Sequence, residues 1–283
     1  MTGAEVAGAG ASGIDATRTV VRDGVRRAYG GGAAAWSGAP DAIYRRLADA
    51  LVLACPVALR TTRVLDFGAG TGAATAALAA AGAHVIAADL SPAMLAVRRS
   101  ERPPAVAADL CALPFRRASF DVAAGAFVLS HLPDPARGLV EVAGVTRRGG
   151  WVLALSFDSR WSYPGKEVVE AVMERFGYRR PAWFEELKTT MEPRVGLPGR
   201  LHDLAAEAGL HDVRVVESSI DAGVRRAADI VAWRLASPGC SEFVASLDPA
   251  TRVWLVDDAA DALGPDPEPL VPAVLVVAGR VGF

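Results

Sequence analysis

The sequence predicts an α/β protein with a doubly wound, seven-stranded, mostly parallel sheet, an N-terminal helical cap and an insertion after strand five. Two observations favour this fold class. Short apolar stretches alternate with helical stretches through the middle of the chain, which is typical of parallel strands joined by crossover helices. A glycine-rich turn at Gly68–Gly72 directly follows the first of these strands and precedes an alanine-rich helical segment, as in sheets that bind nucleotide-like ligands.

The composition is that of an ordinary globular protein and gives no sign of a strongly charged partner. The 283 residues are 52% hydrophobic and 22% charged, and the formal net charge is −2, so no global field attracts nucleic acid or anionic lipid. Cys55, Cys111 and Cys240 are far apart and form neither a metal-binding spacing nor an evident disulfide framework. We expect a soluble protein without a signal peptide, located in the reducing cytoplasm.

The N-terminal part is predicted to be a short tail followed by a helical cap. Residues 1–13 are small and nearly featureless, so we expect them to be disordered. In a cap spanning residues 14–59, the apolar spacing predicts a first helix over Ile14–Ala28, which the glycines Gly30–Gly32 would end. A second helix is predicted over Asp41–Leu53.

Residues 60–157 are predicted to form the core that holds the glycine-rich turn. The turn connects a strand at Arg63–Phe67 to a helix at Ala73–Ala81. The dipeptide Ser91-Pro92 is typical of a helix start, and Gly149-Gly150 predicts a turn ahead of the fifth strand. The other predicted core strands are His84–Ala88, Ala105–Ala108, Phe120–Ala126 and Trp151–Phe157, with a helix around Pro135–Val145.

After the fifth strand the regular pattern lapses over residues 158–197, which we interpret as an inserted, aromatic-rich lid. Residues 198–283 return to an alternation of helix and strand, so we expect them to complete the same domain and its sheet. The elements predicted there are a helix at Arg200–Ala208, a strand at Val213–Glu217, a helical region from Val224 to Leu263 and a last strand at Pro272–Val281.

Three aspartates, Asp66, Asp89 and Asp109, end three successive predicted strands. The carboxyl ends of parallel strands meet at one edge of a sheet, where ligands bind, so these carboxylates should surround one pocket. The pattern Gly68-x-Gly70-x-x-Ala73 also fits a dinucleotide fingerprint, and an NAD-dependent enzyme is therefore an alternative. Two features count against it: Asp66 stands where a dinucleotide-binding strand is apolar, and Asp109 adds a second acidic strand end.

Five short motifs follow one another between residues 63 and 157. They are Val-Leu-Asp-Phe-Gly-Ala-Gly-Thr-Gly at 64–72, Asp-Leu-Ser-Pro-Ala-Met-Leu at 89–95, Ala-Asp-Leu-Cys-Ala-Leu-Pro-Phe at 108–115, Ser-Phe-Asp-Val at 119–122 and Ser-His-Leu-Pro-Asp-Pro at 130–135. In these motifs and their order the chain resembles the class I S-adenosylmethionine-dependent methyltransferases, which have a Rossmann-like sheet. It looks most like the branch that methylates small molecules such as quinones and secondary metabolites.

This resemblance implies S-adenosyl-L-methionine as the cofactor, S-adenosyl-L-homocysteine as its product, and no metal. By position in the motifs, Asp66 would neutralise the cofactor's amino group directly or through water, and Asp89 would hold its ribose hydroxyls. The other implied cofactor-binding residues are Gly68, Ala69, Gly70 and Gly72 around the methionine part, Leu90, Met94, Asp109 and Leu110 around the adenine, Phe127 beside the sulfonium, and Tyr29 and Tyr44 from the cap, where Trp36 is a further candidate.

His131 is the candidate general base. The family's methyl donor is already activated, so transfer depends mainly on positioning, and a base helps when the acceptor is a hydroxyl or a carbon acid. His131 stands just beyond the fourth strand, near the expected position of the methyl group. Two alternatives stay open, in which it supports the loop or hydrogen-bonds the cofactor. We interpret His84, His202 and His211 as structural.

The insertion is expected to contact the methyl acceptor. Between Trp161 and Phe184 six aromatic residues occur in 24 positions, against 7% aromatic residues in the whole chain. Such enrichment is typical of a lid over a bulky, partly apolar ligand, and the alternative is a small satellite core beneath the insertion. The candidate substrate-binding residues are Trp161, Tyr163, Tyr178, Trp183 and Phe184.

The predicted function is methyl transfer to an oxygen or carbon atom of a small, partly apolar or aromatic metabolite in secondary metabolism. One alternative is a methyltransferase-like cyclase or binding protein that keeps the cofactor without transferring its methyl group. Another is a nucleic-acid methyltransferase, but the arginine pairs are scattered, and Ser130–Pro133 replaces the Asn/Asp-Pro-Pro-aromatic motif of base methylation. We expect a small-molecule substrate, and neither nucleic acid nor membrane as a partner.

Overall fold

A seven-stranded sheet forms the centre of the computed structural model, which describes residues 6–282, with side chains from Thr19 onward except that of Ser37. The strands are β1 (Arg63–Phe67), β2 (His84–Asp89), β3 (Ala105–Ala107), β4 (Phe120–Ala126), β5 (Thr146–Phe157), β6 (Leu210–Ser219) and β7 (Ala273–Val281). Their order is β3-β2-β1-β4-β5-β7-β6. Strands β1 to β5 pair in parallel, whereas β7 is antiparallel to β5 and β6. The predicted doubly wound, mostly parallel, Rossmann-like sheet is confirmed.

Helices cover both faces of the sheet. On one face lie α2 (Ala39–Ala54) and α3 (Ala73–Ala80), and on the other lie α5 (Pro135–Val145) and α8 (Pro198–Glu207). Successive residues of β5 point to opposite faces, so Val152 and Ala154 join one core while Leu153 and Leu155 join the other. The order of the strands reverses between β1 and β4, which leaves a crevice for a ligand at their carboxyl ends.

The cap begins with a longer helix than the sequence predicts. Helix α1 spans Val6–Gly32 and a 3₁₀ turn follows at Ala33–Ser37, so the helix includes residues 6–13 of the expected disordered tail and continues through Gly30–Gly32. Residues 1–5 of that tail lie outside the described residues. Tertiary packing outweighs the low helix propensity of glycine here, because Val21 and Ala28 are buried against the insertion.

The core elements match the predicted ones except at the start of β5. Helix α4 (Pro92–Ala96) begins as expected, with the Ser91 hydroxyl accepting a hydrogen bond from the Met94 amide. Strand β5 starts at Thr146, so the expected Gly149-Gly150 turn is wrong. These glycines lie in a strand irregularity, where the register against β4 shifts because the longer β5 segment opposes a shorter one.

The insertion is helical where the sequence predicts no regular structure. It consists of α6 (Pro164–Arg175), α7 (Ala182–Glu186), a π-helical turn (Leu187–Met191) and a 3₁₀ turn (Glu192–Arg194). The predicted helical region near the C-terminus divides into α9 (Ala227–Leu235), α10 (Pro238–Ser246) and α11 (Pro249–Leu263). Among residues 6–282, no helix has the length and apolar character needed to cross a membrane.

Gly125 on β4 leaves room for Phe67, the last residue of the neighbouring strand β1. A Cβ atom at this position would lie 2.3 Å from the Phe67 ring and 2.6 Å from the Phe67 carbonyl oxygen. We expect Gly125→Ala to lower the free energy of unfolding by about 1–3 kcal/mol, because the rigid strand cannot move away. Urea denaturation measures this loss.

Gly199→Ala is the matched control for that experiment. Gly199 lies in α8, and a Cβ atom there meets nothing within 4 Å. This substitution should leave stability unchanged or raise it slightly, since alanine favours helix. Equal losses in the two variants would contradict the role given to Gly125.

Candidate functional site

The glycine-rich loop after β1 adopts a conformation that favours glycine. Gly68, Gly70 and Gly72 have φ angles of +69°, +52° and +99°. The amides of Gly68 and Ala69 donate to the Ala88 carbonyl of β2, at 2.8 and 3.0 Å. A Cβ atom on Gly70 would approach only the Met94 methyl group, at 3.4 Å, so this part of the loop presents bare backbone.

Asp89, at the end of β2, holds the loop. One of its carboxylate oxygens accepts from the Gly70 amide and the other from the Ser91 amide, both at 2.8 Å. Arg102 donates to the Gly70 carbonyl at 3.0 Å and to the Leu95 carbonyl at 2.8 Å. Burial raises the pKa of Asp89, while both amides and Arg102 oppose the rise.

Asp66 lies beneath the loop rather than at its surface. It is fully buried and accepts a hydrogen bond from the Thr75 hydroxyl, while its Oδ1 atom has no hydrogen-bond partner among the described residues. Burial raises the pKa of Asp66 to about 7, despite the Thr75 hydrogen bond and nearby Arg102. The Asp66 side chain therefore supports the turn from below. It does not line the cavity, so its position disfavours a direct contact with the amino group of a ligand.

A cavity of about 610 Å³ opens between the carboxyl ends of the strands, the cap and the insertion. It brings together most of the residues predicted for the site. The predicted residues that line it are Tyr29, Tyr44, Gly68, Ala69, Gly70, Asp89, Leu90, Met94, Asp109, Leu110, Phe127, His131, Trp161 and Phe184. Asp66 and Gly72 do not line it, and a Cβ atom on Gly72 would face Arg102 instead.

Polar contacts fasten the cap over this cavity. The buried carboxylate of Asp41 in α2 accepts from the Thr71 hydroxyl of the loop at 3.2 Å and from Arg45 at 2.7 Å. Arg98 approaches the same carboxylate at 3.4 Å. From α1, Arg22 donates to Asp109 at 3.1 Å. The cap is thus tied to both the loop and the end of β3.

An aromatic chain forms one wall of the cavity. Phe127 is at its centre and has a φ angle of +58°, which is unusual for a bulky residue and indicates local strain. Its ring lies 5.0 Å from that of Tyr44 and 4.4 Å from that of Phe157. Further aromatic rings extend this wall, and the distances between their centroids are 5.6 Å for Tyr29–Trp36, 4.9 Å for Trp36–Tyr44 and 5.8 Å for Phe157–Trp161.

Three of the predicted substrate residues point away from the cavity. Tyr163 is buried and donates to the Glu268 carbonyl at 2.7 Å, and Tyr178 is buried and donates to the Gly239 carbonyl at 3.2 Å. Trp183 packs against Gly24 of α1. These three side chains therefore belong to small cores beneath the insertion, because later helices and the cap cover them. Trp161 and Phe184 do line the cavity, as predicted.

His131 sits in a 3₁₀ turn after β4 and faces the cap. Its Nε2 atom lies 3.3 Å from the Tyr29 hydroxyl, and the two rings meet edge-on at 5.3 Å. Burial and the positive charge of Lys188 lower the pKa of His131 to about 4. At neutral pH the imidazole is therefore uncharged.

The cavity also contains charged residues that sequence reasoning missed. Lys166 of α6, Lys188 and Glu192 of the insertion, and Arg234 of α9 all line it. One signal was present in the sequence, because Lys166 and Lys188 are the only lysines among 30 basic residues. Within residues 6–282, no cluster of three or more His, Cys, Asp or Glu side chains is arranged to hold a metal ion.

The core of the chain is similar in sequence to known methyltransferases. Residues 65–154 match a family model described as methyltransferase domain. A demethylmenaquinone methyltransferase from Mycobacterium sp. (strain KMS) is 44% identical over 97 residues, which are 34% of this chain and 42% of that protein. The chain thus spans less than half of that relative, and the predicted resemblance to class I methyltransferases is confirmed over the segment that carries its motifs.

Solved structures share the fold over most of the chain. A chain of the complex between the Haloferax volcanii Trm112 methyltransferase activator and a methyltransferase is 20% identical, with a TM-score of 0.54, covering 92% of this chain and 98% of that chain. The [4+2]-cyclase SpnF is 18% identical, with a TM-score of 0.52, covering 84% of this chain and 81% of that chain. At these identities the likeness establishes the fold alone.

The lowered pKa of His131 predicts an effect of pH on stability. Between about pH 6.5 and pH 4 the unfolded chain binds a proton that the folded chain does not, so the folded state loses stability as the pH falls. His131→Gln removes this difference. Relative to the variant, the wild-type protein should lose roughly 1–3 kcal/mol of unfolding free energy between pH 6.5 and 4.5.

Denaturant titrations at several pH values measure that difference, with His202→Gln as the control. His202 is an exposed residue of α8, so its replacement removes an imidazole without touching the cavity. If the unfolding free energy had the same pH dependence in the wild-type protein and in His131→Gln, folding would not lower the pKa of His131, and the prediction would be contradicted.

Proposed function

We propose that this chain, whose residues 65–154 form a methyltransferase domain, transfers the methyl group of S-adenosyl-L-methionine to an oxygen or carbon atom of a small, partly apolar or aromatic metabolite. One observation carries the proposal. A single cavity is lined by the glycine-rich loop and Asp89, by a series of aromatic side chains and by His131. A secondary-metabolite acceptor fits this arrangement.

The loop half of the cavity suits the proposed cofactor. Each carboxylate oxygen of Asp89 already accepts one amide hydrogen and keeps a lone pair, so both ribose hydroxyls have an acceptor. Leu90 and Met94 offer apolar surface for the adenine, and Asp109 lies beside them. The bare backbone at Gly70 leaves room for the methionine part. When bound, the cofactor supplies a methyl group already activated by its sulfonium.

His131 is proposed to take the proton that an acceptor hydroxyl or carbon acid releases. Its imidazole is uncharged at neutral pH, as a base must be, and Tyr29 hydrogen-bonds the ring at Nε2, which restricts the ring's orientation. Burial also raises the pKa of Tyr29 well above its usual value, so the phenol stays neutral beside the imidazole. The cap thereby helps to position the proposed base.

The aromatic half of the cavity suits a flat acceptor. Phe157, Trp161 and Trp233 line it, and a ring placed there would stack on aromatic side chains. The matched relatives include demethylmenaquinone methyltransferases, whose name refers to a quinone, and this supports an aromatic ring in the acceptor. Phe184 and Leu187 of the insertion line the cavity as well, and their apolar surface would help to keep water from the reacting groups.

Calorimetry and an isotope assay test the proposed function. The protein should bind S-adenosyl-L-methionine, and labelled methyl should pass to members of a panel of hydroxylated aromatic compounds. His131→Gln should lower the rate of transfer much more than the affinity for the cofactor. Product without label would favour a cyclase, and binding of NAD(H) in place of S-adenosyl-L-methionine would contradict the proposal.

Asp89→Ala tests the assignment of the ribose contact. Loss of the carboxylate should weaken S-adenosyl-L-methionine binding by roughly 1–3 kcal/mol, because two hydroxyls and the Gly70 amide lose their acceptor. Titration calorimetry measures the affinity of both proteins.

Asp121→Ala is the control for this substitution. Asp121 accepts from the Arg63 amide at 2.8 Å at the opposite end of the same sheet. Its loss removes a comparable hydrogen bond, yet the affinity for the cofactor should remain that of the wild-type protein. If Asp89→Ala bound as tightly as Asp121→Ala, the ribose assignment would be rejected.

A further inference from the structure

Three of the four cationic side chains that line the cavity lie near one another. Lys166, Lys188 and Arg234 come from separate parts of the chain, namely the first turn of α6, the insertion and α9. Like charges brought together in a partly buried cavity repel one another, so their convergence is unfavourable unless anions compensate for it.

The anionic side chains near them compensate only in part. Lys188 donates to Glu192 at 2.5 Å. Arg234 donates to Glu170 at 2.7 Å, but Glu170 is shared with Arg180. Asp158 also lines the cavity, and its carboxylate is bound by Arg160.

Among Lys166, Lys188 and Arg234, Lys166 is the one for which the described residues supply no partner. Its ammonium group forms no hydrogen bond or ion pair with any side chain in the described part of the protein, although it lines the cavity. Burial and the nearby charges of Lys188 and Arg234 lower the pKa of Lys166 to about 8, while Glu192 and Glu170 oppose the fall. The group is therefore still largely protonated at neutral pH, and neither carboxylate is hydrogen-bonded to it.

We propose that the methyl acceptor is a flat, apolar acid, and that Lys166 binds its anionic group, a carboxylate or a similar acid, while Trp161 and Trp233 contact its ring system. This inference rests on the proposed function, because it names the chemical class of the acceptor. It also makes Lys166 the residue that selects acids over neutral analogues of the same shape, since a charge-assisted hydrogen bond is available only to the acid.

The test compares 2-naphthoate with 2-naphthamide, which have nearly the same shape and differ in charge. Calorimetry with the full chain, saturated with S-adenosyl-L-homocysteine, should show at least about tenfold tighter binding of the acid. Lys166→Met should remove most of this preference, and Lys166→Arg should retain it. Unchanged affinity for S-adenosyl-L-homocysteine in both variants shows that they are folded.

Arg175→Met is the matched control, because Arg175 lies on the same helix, is exposed and does not line the cavity. It should keep the wild-type preference for the acid. The inference is overturned if the wild-type protein does not bind the acid, if it binds acid and amide equally, or if Lys166→Met retains the preference.

A second series without S-adenosyl-L-homocysteine separates this inference from the proposed function. A protein that prefers the acid through Lys166 but binds no S-adenosyl-L-homocysteine would contradict the proposed function alone. A protein that binds S-adenosyl-L-homocysteine and shows no preference for the acid would contradict the inference alone.

Discussion

The hydrogen bond from the Gly70 amide to Asp89 is the interaction on which the cavity depends. It joins the loop after β1 to the end of β2, and Arg102 holds the Gly70 carbonyl from the other side. With both ends of this part of the loop held, the left-handed glycines present backbone rather than side chains to the cavity. The same carboxylate therefore shapes the loop and faces the space where a ligand would lie.

The cap depends on that loop in turn. Asp41 binds the Thr71 hydroxyl, and Arg22 binds Asp109 at the neighbouring strand end. Because these contacts hold the cap at the strand ends, Tyr29 stays within hydrogen-bonding distance of His131, and Tyr44 packs against the strained Phe127. Strain at Phe127 is tolerated because rings on both sides restrict it, which fits a residue that must keep a fixed position in the site.

The sheet and the residues that line the cavity around the loop could be predicted from the sequence, because both depend on local signals. Strand β1 and its glycine turn are short, contiguous patterns, and Asp89 and Asp109 follow from strand ends. The predictions that were wrong concern the orientation of side chains and their packing against residues distant in the sequence. Nothing local in the sequence says that Asp66 points beneath the loop to Thr75, or that Tyr163 is covered by residues about one hundred positions later. Counting aromatic residues located the insertion near the site without telling which rings face it.

Charged side chains of both signs line the cavity. Asp89 and Asp109 come from the strand ends beside the loop, whereas Lys166 and Arg234 come from α6 and α9, and Lys188 is close enough to His131 to lower its pKa. On the proposed function, the ribose of the cofactor would bind Asp89 and an acidic acceptor would bind Lys166. The acidic acceptor would be disfavoured beside Asp89 and Asp109, because like charges repel in partly buried surroundings. The placement of the two ligands would thus follow from electrostatics as well as from shape, and the uncharged imidazole of His131 would repel neither of them.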